Sequence, residues 1–108
     1  MPDGFDEDRM RLAVGARRVE WQRHALERMV ERGIRRSDAL GVLVSGERIE
    51  DYPSDQPFAS ALFLGWIGPR PLHVVAAFDP EAERTFVITA YEPDLHHFEP
   101  GFRVRRTP

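Results

Sequence analysis

The chain has no cysteine among its 108 residues, which excludes disulfide bonds and thiolate metal sites. It also has no lysine, because all 15 basic residues are arginines, so no lysine can serve as a base or Schiff-base former. No apolar run approaches the ~18 residues that a membrane span needs, and the acidic N-terminus lacks the apolar core of a secretory signal. We therefore expect a soluble cytoplasmic protein with no membrane contact.

The net charge is small, but the charged residues are unevenly distributed along the sequence. A net charge of −3 argues against broad, non-specific binding of nucleic acid by the whole surface. Acidic residues dominate the first eight positions, whereas arginines gather in two groups, at positions 28, 32, 35 and 36 and at positions 103, 105 and 106. An anionic ligand would therefore meet a local basic patch. The length and the 42% hydrophobic content correspond to one ordinary globular domain.

Two helices are predicted in the first half of the chain. Residues 1–16 are polar and lack an apolar period, so we expect a flexible N-terminal segment followed by a single domain over residues 17–108. Apolar residues then recur at helical spacing from Glu20 to Arg32, and Gly33 supplies the left-handed residue that commonly ends a helix. Ser37 begins a second helix, which ends at Gly46.

From residue 47 onward the patterns are those of strands. "ERIEDY" is a short strand, "FASALFLGWI" is apolar almost throughout, and "LHVVAAFD" and "RTFVITAY" form a hairpin across "PEAE". The segment "GFRVRR" is a candidate for a fifth strand at one edge. The sequence therefore predicts an α+β domain in which two N-terminal helices pack on one face of a four- to five-stranded antiparallel sheet.

One flank of the first helix carries an imidazole and two guanidiniums. In "WQRHALERMVERGI", His24, Arg28 and Arg32 recur at four-residue spacing, and His24 lies well away from the apolar face. Two interpretations remain open. The flank is a solvated surface on which Glu27 and Glu31 pair with the arginines, or it is one wall of a site for an anion.

The predicted hairpin brings further polar groups together. With a turn centred on Glu81, His73 lies opposite Thr89, and Tyr91 continues the same side of the sheet. The other side is the expected core face, formed by Leu72, Val74, Ala76, Phe78, Phe86, Ile88 and Ala90. We expect the first helix to bury Trp21, Leu26, Met29 and Val30 against Phe86 and Ile88.

The alternative to an anion-binding site is a metal site. Its candidate ligands are His24, His73, Asp94, His96 and His97, but no HxxxH or HExxH spacing and no paired carboxylates occur. Glycine-rich phosphate loops and nucleophile elbows are missing as well. We therefore expect neither a metal nor a cofactor.

Several blocks of the sequence resemble a bacterial family of unknown function. They are "HALERMVERGI", "SGERIEDYP", "LHVVAAFD", "VITAYEPD" and "FRVRR", which occur in the family's order across residues 19–106. The family is in turn similar to the barnase–EndoU–colicin–RelE superfamily of metal-independent ribonucleases, which serve as toxins and place two helices on an antiparallel sheet. One departure is Phe98, which stands where the family usually has tryptophan.

The resemblance implies a toxin-type endoribonuclease that cleaves RNA by 2′-OH attack. It implies catalytic roles for His24 and His73 as the acid/base pair, Arg28 for charge stabilisation, and Thr89 and Tyr91 as orienting hydroxyls. It further implies that RNA is contacted by Arg32, Arg103 and Arg105. The implied partners are RNA, including ribosome-associated RNA, and an antitoxin or immunity protein. The alternative is a module of the same fold that binds RNA or protein without cleavage.

Overall fold

The computed structural model describes residues 4–107, which form an α+β domain. Its three helices are α1 (Glu7–Gly15), α2 (Arg23–Arg32) and α3 (Arg36–Ser45). Its five strands are β1 (Val19–Trp21), β2 (Glu47–Tyr52), β3 (Ser60–Ile67), β4 (Arg70–Asp79) and β5 (Arg84–Tyr91). The two predicted helices and the four strands predicted between residues 47 and 91 are therefore present, together with an additional helix, α1, and an additional short strand, β1. Among the described residues, no helix is long and apolar enough to cross a membrane.

The sheet is mixed, so the prediction of a strictly antiparallel sheet is wrong. The strand order is β1-β5-β4-β3-β2, and every pair is antiparallel except β1 with β5. Residues 18–22, expected to lie mostly in the first helix, instead supply partners for the free edge of β5. Thr85 N–H donates to the Arg18 carbonyl, and Gln22 N–H donates to the Val87 carbonyl. Unpaired strand edges are costly, and this pairing satisfies their backbone groups.

Helix α1 lies where the sequence predicts a flexible segment, and residues 1–3 of that segment fall outside the described residues. Asp6 caps the helix, because its carboxylate accepts the N–H of Arg9 at 3.1 Å. Met10 is fully buried, and its carbonyl accepts the hydroxyl of the buried Thr85 on β5. Residues 7–15 thus belong to the domain core.

Helix α2 ends at Gly33, as predicted, with the left-handed φ of 68°. Its buried stripe consists of Ala25 and Met29, whereas Val30 is 81% exposed. The expected burial of Val30 against Ile88 is therefore wrong. The helix packs on β5 through one narrow stripe, and Val30 lies beside that stripe.

The register of the β4–β5 hairpin differs from the prediction in two steps. The turn closes at Asp79↔Arg84, which shifts the pairing by one residue and directs Phe86 away from the core face. A bulge then occurs at Ile88, which has no partner between Val87 and Thr89. The two shifts add up, so that His73 lies opposite Tyr91 instead of Thr89.

The last segment folds over the sheet face that the helices leave open. Residues 94–106, here called the C-terminal hairpin, are joined by a bridge between Phe98 and Arg105 and by the hydrogen bond from Glu99 N–H to the Val104 carbonyl. They do not extend the sheet as the predicted edge strand from "GFRVRR". Phe98 is 2% exposed and packs on His73, with ring centroids 4.6 Å apart. The C-terminal hairpin therefore seals the open face at the His73 end.

Two glycines, one within α3 and one at its end, provide a matched test of the close packing of α3 on β3. A Cβ at Gly46 would lie 2.4 Å from the Val42 carbonyl oxygen and 2.6 Å from that of Leu64, whereas a Cβ at Gly41 meets nothing within 4 Å. Gly46→Ala should lower the free energy of unfolding by about 1–3 kcal/mol or more. Gly41→Ala, within α3, should raise it by up to about 1 kcal/mol. Urea unfolding of both variants measures the two effects, and a Gly46→Ala protein as stable as Gly41→Ala would contradict the close approach of α3 to β3.

Candidate functional site

His73 lies on β4, at the end of the sheet face that the C-terminal hairpin seals. It is fully buried, and its ring also meets the Tyr91 ring edge-on at 5.3 Å between centroids. Both ring nitrogens are occupied, since Nε2 lies 2.9 Å from the Phe102 carbonyl oxygen and Nδ1 lies 3.2 Å from the Tyr91 hydroxyl. A phosphate group therefore cannot touch His73 directly.

The hydrogen bonds fix the proton positions around His73. Burial lowers the pKa of His73, so the ring is neutral at pH 7. A carbonyl oxygen only accepts, so Nε2 carries the proton that is donated to Phe102. Nδ1 is then an acceptor, and the Tyr91 hydroxyl donates to it. Burial also raises the pKa of Tyr91, against the opposing effect of nearby Arg105, so Tyr91 remains a phenol.

Tyr91 connects this buried pair to a cleft of about 460 Å³. The cleft, here called the Tyr91 cleft, lies where β5 ends. Its lining consists of Arg32, Tyr91, Glu92, Pro93, Asp94, His97, Phe98 and Arg105, so two arginines face two carboxylates. A larger hollow of about 720 Å³ at the N-terminal end is lined by three acids, Asp6, Glu7 and Asp8, and by two arginines, Arg9 and Arg48, so its charged lining is negative in sum. The Tyr91 cleft thus has the more suitable chemistry for an anionic ligand.

The two arginines of the cleft come from distant parts of the chain. Arg32, at the end of α2, donates one N–H to the Ala90 carbonyl at 2.9 Å. Arg105, in the C-terminal hairpin, lies over the Phe98 ring at 4.9 Å from its centroid. Each guanidinium has five N–H groups in a planar arrangement, so both retain donors for a ligand.

Arg105 is held in place from the side of β2. Its Nε lies 2.9 Å from the nearer Glu50 carboxylate oxygen, and an Nη donates to the Tyr52 hydroxyl at 3.3 Å. The bond to Tyr52 raises the pKa of Arg105. Burial and the hydrogen bond to Glu50 raise the pKa of Tyr52 to about 12. Arg105 is therefore a fixed cation.

A histidine–carboxylate pair lies in the turn after β5. Asp94 accepts the backbone N–H groups of His96 and His97 at 2.9 and 3.0 Å, and it accepts Nδ1 of the His97 ring at 2.8 Å. The hydrogen bond from the His97 ring lowers the pKa of Asp94. The carboxylate thus orients the His97 ring, whose side chain is 73% exposed. The signal for this pair was visible in the sequence, because "PDLHH" places a turn-forming aspartate three residues before a histidine.

The structure brings His73, Tyr91, Arg32 and Arg105 together at or directly behind the cleft. The other predicted site residues lie elsewhere. His24 is exposed at the start of α2, eight residues or about 12 Å of helix before Arg32. Arg28 pairs with Glu31 at 3.1 Å on the same helix.

Two predicted positions on other elements also lie outside the cleft lining. Thr89 is half-buried and pairs with Val75. Arg103 binds Glu47 at 2.6 Å and lines a groove beside α3. Neither side chain therefore joins the group around Tyr91.

The histidines and carboxylates do not assemble into a metal centre in the part of the chain that the structure describes. No group of three or more such residues has suitable geometry within residues 4–107. The Asp94–His97 pair supplies only two ligand atoms to any one point.

Comparisons with known proteins place the domain in a family. No curated protein matches the chain, and no solved structure matches it. A family model does match, over residues 21–92, which span α2, α3 and all of β2 to β5. The chain therefore belongs to the family described as a domain of unknown function, DUF4258.

Proposed function

We propose that this domain binds RNA in the Tyr91 cleft and cleaves it without a metal ion, through attack of a ribose 2′-OH on the adjacent phosphate. The observation that carries the proposal is the meeting of Arg32 and Arg105 beside a tyrosine whose hydroxyl is held by a buried histidine. We also propose that the family is related to the barnase–EndoU–colicin–RelE ribonucleases. The helix and strand motifs and the α+β architecture support that relationship.

The arginine pair supplies what a phosphate needs. Metal-free cleavage passes through a phosphorane with additional negative charge, which fixed cations stabilise more than they stabilise the ground state. Arg105 is fixed by Glu50 and Phe98, and Arg32 by the Ala90 carbonyl, so neither must be ordered when RNA binds. We assign both guanidiniums to contacts with the non-bridging oxygens.

Tyr91 supplies the contact that distinguishes RNA from DNA. Its proton is committed to His73, so the hydroxyl oxygen presents lone pairs only. The 2′-OH is a donor that DNA lacks, and it would bind these lone pairs. As the 2′ oxygen attacks phosphorus, its proton passes to Tyr91 while the Tyr91 proton passes to Nδ1 of His73. The P–O5′ bond breaks, leaving a 2′,3′-cyclic phosphate, and the departing O5′ takes up a proton.

The exposed flank of α2 leads toward this cleft. His24, Arg28 and Arg32 lie about 6 Å apart along the helix axis, and Arg32 is the member that lines the cleft. We assign His24 and Arg28 to contacts with the RNA backbone on its way to the cleft. Antitoxin or immunity protein binding at the same surface would block access.

The direct test is incubation of purified protein with short single-stranded RNA in excess EDTA. We expect fragments that end in a 2′,3′-cyclic phosphate and a 5′-hydroxyl, at a rate that EDTA leaves unchanged. His24→Ala should slow cleavage only a few-fold, because His24 lies outside the cleft. A loss of about 10²–10⁴-fold is typical of a missing acid or base. Such a loss would indicate that the catalytic groups lie on the α2 flank and would contradict cleavage in the Tyr91 cleft.

A second candidate is RNA binding without cleavage. The observation that favours it is the burial of His73, which leaves neither histidine of the predicted acid/base pair free in the cleft. Wild-type protein that binds single-stranded RNA but leaves both it and ribosome-bound RNA intact would select this candidate.

A further inference from the structure

The proposed cleavage lacks one component. The relay through Tyr91 accepts the 2′-OH proton, but the departing O5′ must receive a proton from another group. His73 cannot deliver it, because its only proton is on Nε2 and is donated to the Phe102 carbonyl. The donor must therefore be a second titratable group that lines the cleft and reaches solvent.

His97 meets these requirements. Its ring lines the Tyr91 cleft, and Asp94 fixes the ring through the 2.8 Å contact at Nδ1. Nε2 has no hydrogen-bond partner among residues 4–107, so it is the nitrogen left for a ligand. With Nδ1 bound to Asp94, Nε2 is the ring nitrogen whose proton could be donated into the cleft.

The groups around His97 are of both signs. Asp94 is in its own turn, Tyr91 and Glu92 are at the end of β5, Arg32 is on α2, and Arg105 is in the C-terminal hairpin. Glu92 is neutralised in part by Arg70 at 3.2 Å, as is Arg105 by Glu50. His97 therefore lines the same cleft as Arg32 and Arg105, the two arginines assigned to the phosphate.

We propose that His97, oriented by Asp94, is the general acid of RNA cleavage in the Tyr91 cleft. The inference rests on the proposed ribonuclease function. The 2′-O–P bond forms as the 2′ proton enters the Tyr91–His73 relay, and the P–O5′ bond breaks as Nε2–H of His97 protonates O5′. The enzyme begins with imidazolium at His97 and neutral His73 and ends with the reverse, so the protons balance. Exchange with water then restores both rings.

The test compares two substrates that differ only in leaving group. One is a single-stranded oligoribonucleotide, whose 5′ alkoxide needs protonation. The other is uridine 3′-(4-nitrophenyl phosphate), whose phenolate leaves without an acid. His97→Gln should slow cleavage of the oligoribonucleotide by about 10²–10⁴-fold and leave release of nitrophenolate within a few-fold of wild type. His96→Gln, which alters the adjacent exposed histidine, should leave both rates unchanged.

The pH dependence provides a second readout. Histidine as a residue type changes charge between pH 5 and 8, so an acid of this kind gives the wild-type rate a falling limb at the alkaline side. That limb should disappear in His97→Gln. Equal slowing of both substrates, or no slowing of either, would overturn the role of His97. A wild-type protein that cleaves neither substrate would instead overturn the proposed function, and the inference with it.

Discussion

Tyr91→Phe is expected to reduce RNA cleavage by about 10²–10⁴-fold, because it removes the hydroxyl that carries the 2′ proton to His73. The change deletes a single oxygen and retains the ring that meets His73 edge-on. Binding of RNA should weaken far less, since Arg32 and Arg105 keep their positions. Single-turnover cleavage and fluorescence anisotropy separate the two effects.

Tyr52→Phe is the matched control for this prediction. The chain has only two tyrosines, and both hydroxyls are hydrogen-bonded close to Arg105. Tyr52, however, lies outside the Tyr91 cleft and donates to Glu50. We expect a loss of only a few-fold, through slightly looser placement of Arg105. If the two variants lose activity equally, Tyr91 has no special part in proton transfer.

His73→Ala is expected to lower the free energy of unfolding at pH 7 by about 3–5 kcal/mol, the range for deletion of a large buried side chain. The variant leaves a cavity beneath Phe98 and removes the partners of the Tyr91 hydroxyl and the Phe102 carbonyl. Unsatisfied buried groups add to the cost. His96→Ala, at an exposed position, should change stability by no more than about 0.5 kcal/mol.

The effect of His73→Ala should also depend on pH. Burial lowers the pKa of His73 below that of histidine in the unfolded chain, which is about 6.5. As the pH falls below 6.5, the unfolded chain gains a proton that the folded chain does not, so stability is lost by up to about 1.4 kcal/mol per pH unit. The variant lacks this loss. The stability difference between wild type and variant should therefore narrow between pH 7 and pH 5, and a constant difference would contradict a neutral, buried His73.

The elements that the sequence predicted correctly are those with a strong local pattern. The helix before Gly33, the strand "ERIEDY" and the hairpin of β4 and β5 each have apolar periodicity and clear turn residues. Helix α1 was missed because its buried set is small, with Met10 as its only large member. Strand β1 is three residues long, and its parallel pairing with β5 depends on a distant segment that no local pattern reveals.

The candidate site was also predicted only in part, because local sequence patterns identify individual residues but not their long-range partners. The sequence singled out His73 and Tyr91, but the prediction placed His73 opposite Thr89, because neither the closing pair Asp79↔Arg84 nor the bulge at Ile88 has a local signal. The burial of His73 depends on Phe98 and on the Phe102 carbonyl, which arrive from the C-terminal hairpin. The C-terminal hairpin reaches His73 through tertiary packing. The residue pattern of a strand therefore cannot show whether its polar face is open to solvent or covered by a distant segment.

The central claim, that RNA binds in the Tyr91 cleft, is tested most directly by mapping the residues that RNA contacts. Backbone and arginine side-chain NMR signals of the wild-type protein can be followed during titration with a single-stranded hexaribonucleotide whose 5′-bridging oxygens are replaced by methylene groups. Each linkage of this ligand keeps its 2′-OH and its negative charge but has no leaving oxygen, so it cannot be cleaved. We expect saturable shifts at residues 90–98, at the Arg32 guanidinium and at Arg105, with weaker shifts along the α2 flank at His24 and Arg28. Shifts confined to the apolar hollow around Phe58 and Phe86, or no saturable shifts, would contradict the assignment of the Tyr91 cleft.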